Sequence, residues 1–190
     1  YKTQYFSEMP EYFSYSPLDH ENIIAIHSNS KWDRGLGRRM GWVEANEEIV
    51  RAMERAQQVS ILCPDTLHQI AFTRYVKNYG KSIKNYIDKI REEYKRAAME
   101  TVKSINEFLS LRYLEPQGGL YVSAHVGMDS DQFVVDVMKN TGVLFVPGKG
   151  FGKSMEKGIR ISYGPLVRDI SKISEGIGRV GKYLNGKNNS

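Results

Sequence analysis

The chain has one cysteine, Cys63, so no internal disulfide can form and a cysteine-rich zinc site has no ligands. It has no apolar run near the roughly 20 residues that a membrane helix needs. Its first stretch, YKTQYFSEMPEYFSYS, has neither the basic nor the apolar segment of a secretory signal. Internal repeats and low-complexity segments are absent too. The histidines His20, His27, His68 and His125 lie far apart, without metal-ligand spacing, and read as core or surface side chains. Cys63 reads as a small buried hydrophobe. A cytoplasmic protein with no membrane partner and no metal is the simplest expectation.

What is present is ordinary for a globular chain: 190 residues, 41% hydrophobic and 26% charged. That length suffices for one good core, or for a small domain plus part of another. The net charge is +5, but the basic residues are spread along the chain. In the densest stretch, KNYGKSIKNYIDKIREEYKR, acids alternate with bases in helical register, which marks a solvated helix face. No nucleic-acid partner is expected; a mild positive balance suits anionic small molecules.

Residues 1–20 hold many aromatics and show no period, and they read as irregular. NIIAIH at 22–27 fits a buried strand, and the glycine-punctuated stretch Lys31 to Gly41 fits a loop. Asn46 caps a helix with Ile49, Val50, Met53 and Ala56 on one side, and Asp65 caps a second one. A third, from about Lys81 to Ser110, carries Ile83, Ile87, Ile90, Tyr94, Ala97, Thr101, Ile105 and Phe108 as an apolar stripe. At 1.5 Å per residue it spans about 45 Å, enough to bridge two lobes. Beyond it the pattern predicts strands in YLEPQGGLYVSAHVG, VLFVPG and GIRISYG. A helix capped by Ser130 and ended by Gly142 lies between them, a closing helix follows, and NGKNNS is a frayed tail. Alternating strands and helices there give a small α/β lobe.

The chemistry concentrates in SNSKWDRGLGRRMGW, residues 28–42. Lys31 follows the predicted strand directly, Ser28 and Ser30 flank it with hydroxyls, and Arg34, Arg38 and Arg39 come soon after. Desolvation or a neighbouring cation disfavours an ammonium and frees the amine to condense with a carbonyl. An arginine fork clamps a phosphate. Gly35, Gly37 and Gly41 let the backbone turn tightly, so that both groups can face one pocket. Together they suit an aldehyde-bearing cofactor with a phosphate handle, for which pyridoxal phosphate qualifies. The competing reading makes Lys31 one more surface lysine on a flexible loop.

This stretch resembles the pyridoxal-phosphate lysine signature of the class I/II aminotransferases: Ser-x-Ser/Ala-Lys, then Gly-x-Arg-aliphatic-Gly, here Ser28, Ser30, Lys31, Gly37, Arg39, Met40 and Gly41. Arg34 and Gly35 depart from the small-then-apolar pair that the family carries there. Arg38 rivals Arg39, but the Gly37-x-Arg39-x-Gly41 frame favours the latter. CPDTLHQIA is similar to the family's proline turn into a helix, EPQGGLYV to its turn into the small domain, and GVLFVPGKGFG with GIRISYG to its last core strands.

The resemblance implies a fold type I pyridoxal-phosphate transferase of α/β class. Residues 1–80 would form the C-terminal portion of the large cofactor domain, 81–110 a long interdomain helix and 111–190 a small C-terminal α/β domain. It implies that Lys31 is the catalytic, Schiff-base lysine and that Ser28, Ser30 and Arg39 hold the cofactor. Arg160 would grip the substrate α-carboxylate; read alone, an arginine in IRIS could equally be a sheet-edge charge paired with an acid. Tyr1 matches the tyrosine that bonds the cofactor O3′. The implied reaction passes an amino group between an amino acid and a 2-oxo acid in a homodimer. A carbon–sulfur lyase, a decarboxylase or a degenerate non-catalytic binding module would share the scaffold. In the family the lysine lies past the middle of the chain, so the likeness covers a C-terminal half, expected to be inactive without the N-terminal half as partner.

Overall fold

The computed structural model describes residues 2–31 and 35–188. Tyr1 and Arg34 lie outside the described residues. The chain divides into two compact units, Tyr1–Lys89 and Ile90–Ser190.

In the first unit, single 3-10 turns at Lys2–Gln4 and Glu11–Ser14 break an otherwise irregular start. Strands β1 (Ala25–Ser28) and β2 (Gly41–Glu44) form an antiparallel ribbon with Ala25 opposite Glu44 and Ser28 opposite Gly41. Helix α1 (Glu47–Ser60) starts as predicted, because the Asn46 side chain accepts a hydrogen bond from the Ile49 N–H at 2.9 Å. Its apolar stripe is formed, yet no α1 side chain is buried.

Helix α2 (Thr66–Ser104) is also capped as predicted: the Asp65 carboxylate accepts from the His68 N–H at 3.0 Å. The pattern separates two helices near Lys81, and the backbone of α2 is kinked there. The interruption is a single non-helical residue, Tyr79 (φ −125°, ψ 17°), next to the weak helix former Gly80. The predicted stripe is the buried side: Ile83 in the first unit, and Ile90, Tyr94, Ala97 and Thr101 in the second. The helix stops at Ser104. A π-turn, Ile105–Leu109, takes its place and ends on Ser110 in the left-handed region.

The second unit is an antiparallel sheet with helices packed on it. Its strands are β3 (Arg112–Tyr113), β4 (Tyr121–His125), β5 (Val146–Pro147) and β6 (Gly158–Ser162), in the order β3-β4-β6-β5. Between β4 and β5 lies α3 (Ser130–Thr141), and α4 (Ser171–Asn188) closes the chain. The cap of α3 is Asp129, one residue earlier than predicted. Its carboxylate takes the Asp131 and Gln132 N–H groups at 3.1 and 3.0 Å, while Ser130 turns inward and is fully buried. Gly142 ends α3 with φ 70°, as expected. The tail expected to fray continues instead as helix to Asn188. Val122, Val137, Phe145, Ile159, Ile161, Ile177 and Val180 form the core. Each such side chain contributes about 1.5–3 kcal/mol on burial.

The first unit has no comparable core among its described residues. β1, predicted to be buried, leaves Ile26 76% exposed. It pairs with β2 alone among the described residues, and while Ala25 and His27 are half-buried, the face that carries Ile26 is uncovered. Cys63 is likewise exposed, a correction to the expected buried hydrophobe. It lies in the turn between α1 and α2, where no packed layer covers it. No helix is long and apolar enough to cross a membrane among the described residues.

Candidate functional site

The β1–β2 ribbon positions the lysine loop. Backbone pairing continues one step past the strands, with the Asn29 N–H donating to the Met40 carbonyl at 3.1 Å, and Asn29 is buried. That pairing brings residues 28–31 beside residues 39–41. Gly41 is needed for it. A Cβ there would stand 2.6 Å from the His27 carbonyl oxygen, too close for any side chain. Arg39 adopts the left-handed conformation (φ 52°, ψ 49°), which turns the chain from the short helix Leu36–Arg38 into β2.

Within this frame the predicted residues of the loop share one cleft of about 880 Å³, lined among others by Ser28, Ser30, Lys31, Arg39 and Trp42. The Arg39 guanidinium donates through Nη1 to the Ser30 hydroxyl at 3.3 Å. The Ser30 N–H donates in turn to the Ser28 hydroxyl at 3.3 Å. Lys31 is half-buried. The buried Gln4 side chain fixes its backbone, donating through Nε2 to the Lys31 carbonyl at 2.7 Å. An amine, a guanidinium and two hydroxyls on one cleft are the groups that a small molecule bearing both a carbonyl and a phosphate requires.

Sequence reasoning missed several neighbours. His27 and Trp42, opposite each other in the ribbon, stack at 5.1 Å with planes 11° apart. His27 Nε2 also lies 3.5 Å from Glu44 Oε1. Both rings line the lysine cleft. Only the strand register pairs them, and nothing in the local pattern of either segment signals it. Gln4 likewise acts across 27 residues.

In the second unit, Arg160 lies on β6, opposite Ser123 of β4 and Val146 of β5. This is an interior strand, so the sheet-edge reading does not hold. Arg160 forms no ion pair among the described residues, and its buried Nε has no hydrogen-bond partner. Its guanidinium carbon sits 4.9 Å from the centre of the Tyr121 ring and 5.1 Å from that of Phe151. A half-buried guanidinium whose Nε has no partner retains donor capacity that an anion could satisfy.

The family model for aminotransferase class I and II matches residues 5–173. The chain is 30% identical over 165 residues to the (5-formylfuran-3-yl)methyl phosphate transaminase of Methanocaldococcus jannaschii, covering 87% of this chain and 43% of that one. Among solved structures, it is similar to the aromatic aminotransferase from Pyrococcus horikoshii, with TM-score 0.85 and 26% identity over 99% of this chain and 50% of the other. It is also similar to the alpha-aminoadipate aminotransferase of Thermus thermophilus complexed with N-(5'-phosphopyridoxyl)-L-leucine, with TM-score 0.82 and 26% identity over 98% and 48%. The chain spans about half the length of the curated relatives it matches.

Proposed function

The chain belongs to the class I and II aminotransferases, and on that footing we propose that the complete protein transfers an amino group between an amino acid and a 2-oxo acid. The observation that carries this reading is the single cleft shared by Lys31, Ser28, Ser30 and Arg39. Its donor set fits pyridoxal phosphate, the cofactor of the family. Bound there, the cofactor supplies a conjugated ring that accepts the electron pair released at the substrate Cα.

The residues of this chain do the rest. The Arg39 guanidinium and the Ser28 and Ser30 hydroxyls bind the phosphate and fix its orientation. Lys31 Nζ would hold the aldehyde end of the cofactor and, as a free amine, would take up the proton released at the substrate Cα. Arg160 grips the α-carboxylate with two parallel N–H donors, which sets the direction of the Cα–H bond to be broken. Tyr1 bonds the cofactor O3′ in the same scheme.

Residues 1–80 then belong to a large cofactor domain, 81–110 to an interdomain helix and 111–190 to a small domain of an enzyme that works as a homodimer. These 190 residues are the C-terminal part, and unaided they bind cofactor weakly and transaminate negligibly. The half-length match supports this, as do Val59, Leu67 and Ile26, at 90%, 79% and 76% exposure. Such side chains call for a covering layer.

Borohydride reduction of the complete protein with pyridoxal phosphate, followed by peptide mass mapping, tests the assignment. A pyridoxyl adduct on Lys31 is expected, with keto acid formed only when an amino acceptor is supplied. No adduct makes the protein a non-catalytic binding module. Keto acid without an acceptor makes it a carbon–sulfur lyase, and carbon dioxide release a decarboxylase. Robust turnover by a homogeneous 190-residue preparation refutes the dependence on a second half.

A further inference from the structure

The surroundings of Arg160 carry a second conclusion, which rests on its reading as the carboxylate anchor. We propose that Tyr121 and Phe151 are positioning residues that hold the Arg160 guanidinium between two aromatic rings, and so set how tightly the substrate carboxylate binds. The guanidinium carbon is 4.9 Å from one ring centre and 5.1 Å from the other. Both fall inside the roughly 6 Å range over which a ring face attracts a cation.

The two rings come from separate segments. Tyr121 starts β4, two residues before Ser123, the partner of Arg160. Side chains two apart on a strand share a face, so Tyr121 is the diagonal neighbour of Arg160 across the sheet. Phe151 ends the short helix Gly148–Phe151 that follows β5. That turn is tied down at its start. Pro147 is in register with Ile159 of β6, and the Lys149 N–H donates to the buried Ser130 hydroxyl at 3.1 Å. The Phe151 ring is 52% exposed, so core packing does not explain its place over the guanidinium.

Arg160 is in no ion pair among the described residues, and its buried Nε has no hydrogen-bond partner, so the two rings are the contacts that restrain the guanidinium. A free arginine side chain would lose considerable rotamer freedom on seizing a carboxylate. Two rings against the guanidinium remove much of that loss in advance, and they leave the charge itself uncancelled, unlike a carboxylate partner.

The test uses the complete protein loaded with pyridoxal phosphate. KM and kcat are measured for the best donor from a panel of common L-amino acids, and for the matching amine that lacks the carboxylate. Calorimetry gives the Kd of the α-methyl derivative of the donor, which has no Cα–H and binds without turning over. Phe151→Leu and Tyr121→Leu are each expected to raise the amino-acid KM and the α-methyl Kd by roughly five- to tenfold, the size of a cation–π contact. Turnover of the amine and affinity for the cofactor should stay as they were. Phe151→Tyr, which keeps a ring, should restore the original values.

If both leucine variants bind the α-methyl derivative normally while Arg160→Gln loses it, the clamp is refuted and the anchor stands. If Arg160→Gln also binds normally, the anchor itself is wrong. Leucine variants that weaken amine turnover and cofactor binding equally show a merely structural role, which also overturns the proposal.

Discussion

Arg39 shows how much one side chain in this molecule is asked to do. Its backbone turns the loop into β2 through a left-handed conformation, and its guanidinium reaches the Ser30 hydroxyl at 3.3 Å. Truncation to alanine keeps the charge out of the cleft but leaves the backbone geometry, which alanine tolerates at a modest strain. Arg39→Ala is therefore expected to weaken pyridoxal phosphate binding about 10- to 100-fold in the complete protein, as for loss of a charged hydrogen bond. A spectral titration measures it. Arg39→Lys should fall between, because an ammonium offers charge without the planar fork. Arg160 illustrates the opposite condition, a charge that is placed but not paired, and the sequence could not have distinguished the two. Only the register of β6 between β4 and β5 removes the edge-strand reading.

Among the elements, the π-turn and α4 approach each other closely. A Cβ on Gly181 would come within 2.5 Å of the Phe108 carbonyl oxygen and 2.9 Å of its Cβ. Gly181→Ala should therefore destabilise the second unit by about 1–3 kcal/mol, the usual range for overpacking, despite the better helix propensity of alanine. Thermal denaturation checks the sign. The α3–α4 contact carries a pH dependence. Asp136 accepts from the Tyr183 hydroxyl at 2.9 Å and from Lys187 Nζ at 3.0 Å, and these bonds, that to Lys187 foremost, hold its carboxyl below the usual range. A carboxyl with a lowered folded value binds its proton more readily when unfolded. The contribution is thus complete above the ordinary carboxylate pKa, near about 3.9, and is lost as pH falls through the lower folded value. Asp136→Asn should lower the melting temperature slightly at about pH 7, and the difference should shrink as pH falls below the ordinary carboxylate range.

The helix caps at Asn46 and Asp65 and the stop at Gly142 were legible because each depends on a residue's own backbone preference. The kink at Tyr79 was legible as well, since the neighbouring Gly80 weakens the helix at the point where the apolar pattern changes. The cap at Asp129 was misplaced by one residue because aspartate and serine both serve. The buried Ser130 revealed its separate task only through Lys149, 19 residues away.

Over the whole chain, apolar burial is uneven. Of the large aliphatic side chains before residue 90, Ile83 is fully buried, while the core around Val122, Ile159 and Val180 belongs to the second unit. Hydrogen exchange on the 190-residue chain should therefore show slow amides in β4, β6 and α4, and fast exchange throughout β1 and β2. Comparable protection in both units would contradict this division. The family likeness was visible in four short blocks because each block serves a local requirement of loop or strand. The shared cleft was not, since it needs the ribbon register that joins residues 28–31 to 39–41.

The turn between α1 and α2 leaves the sulfur of Cys63 open to solvent, and the chain contains no second thiol. Maleimide labelling of the 190-residue chain is then stoichiometric, one dye per chain at a known spot outside the lysine cleft. The same openness lets air oxidation join two copies through that sulfur. A dimer that is lost on adding reductant would thus report sulfur chemistry, and one that persists under reducing conditions an association built on packing.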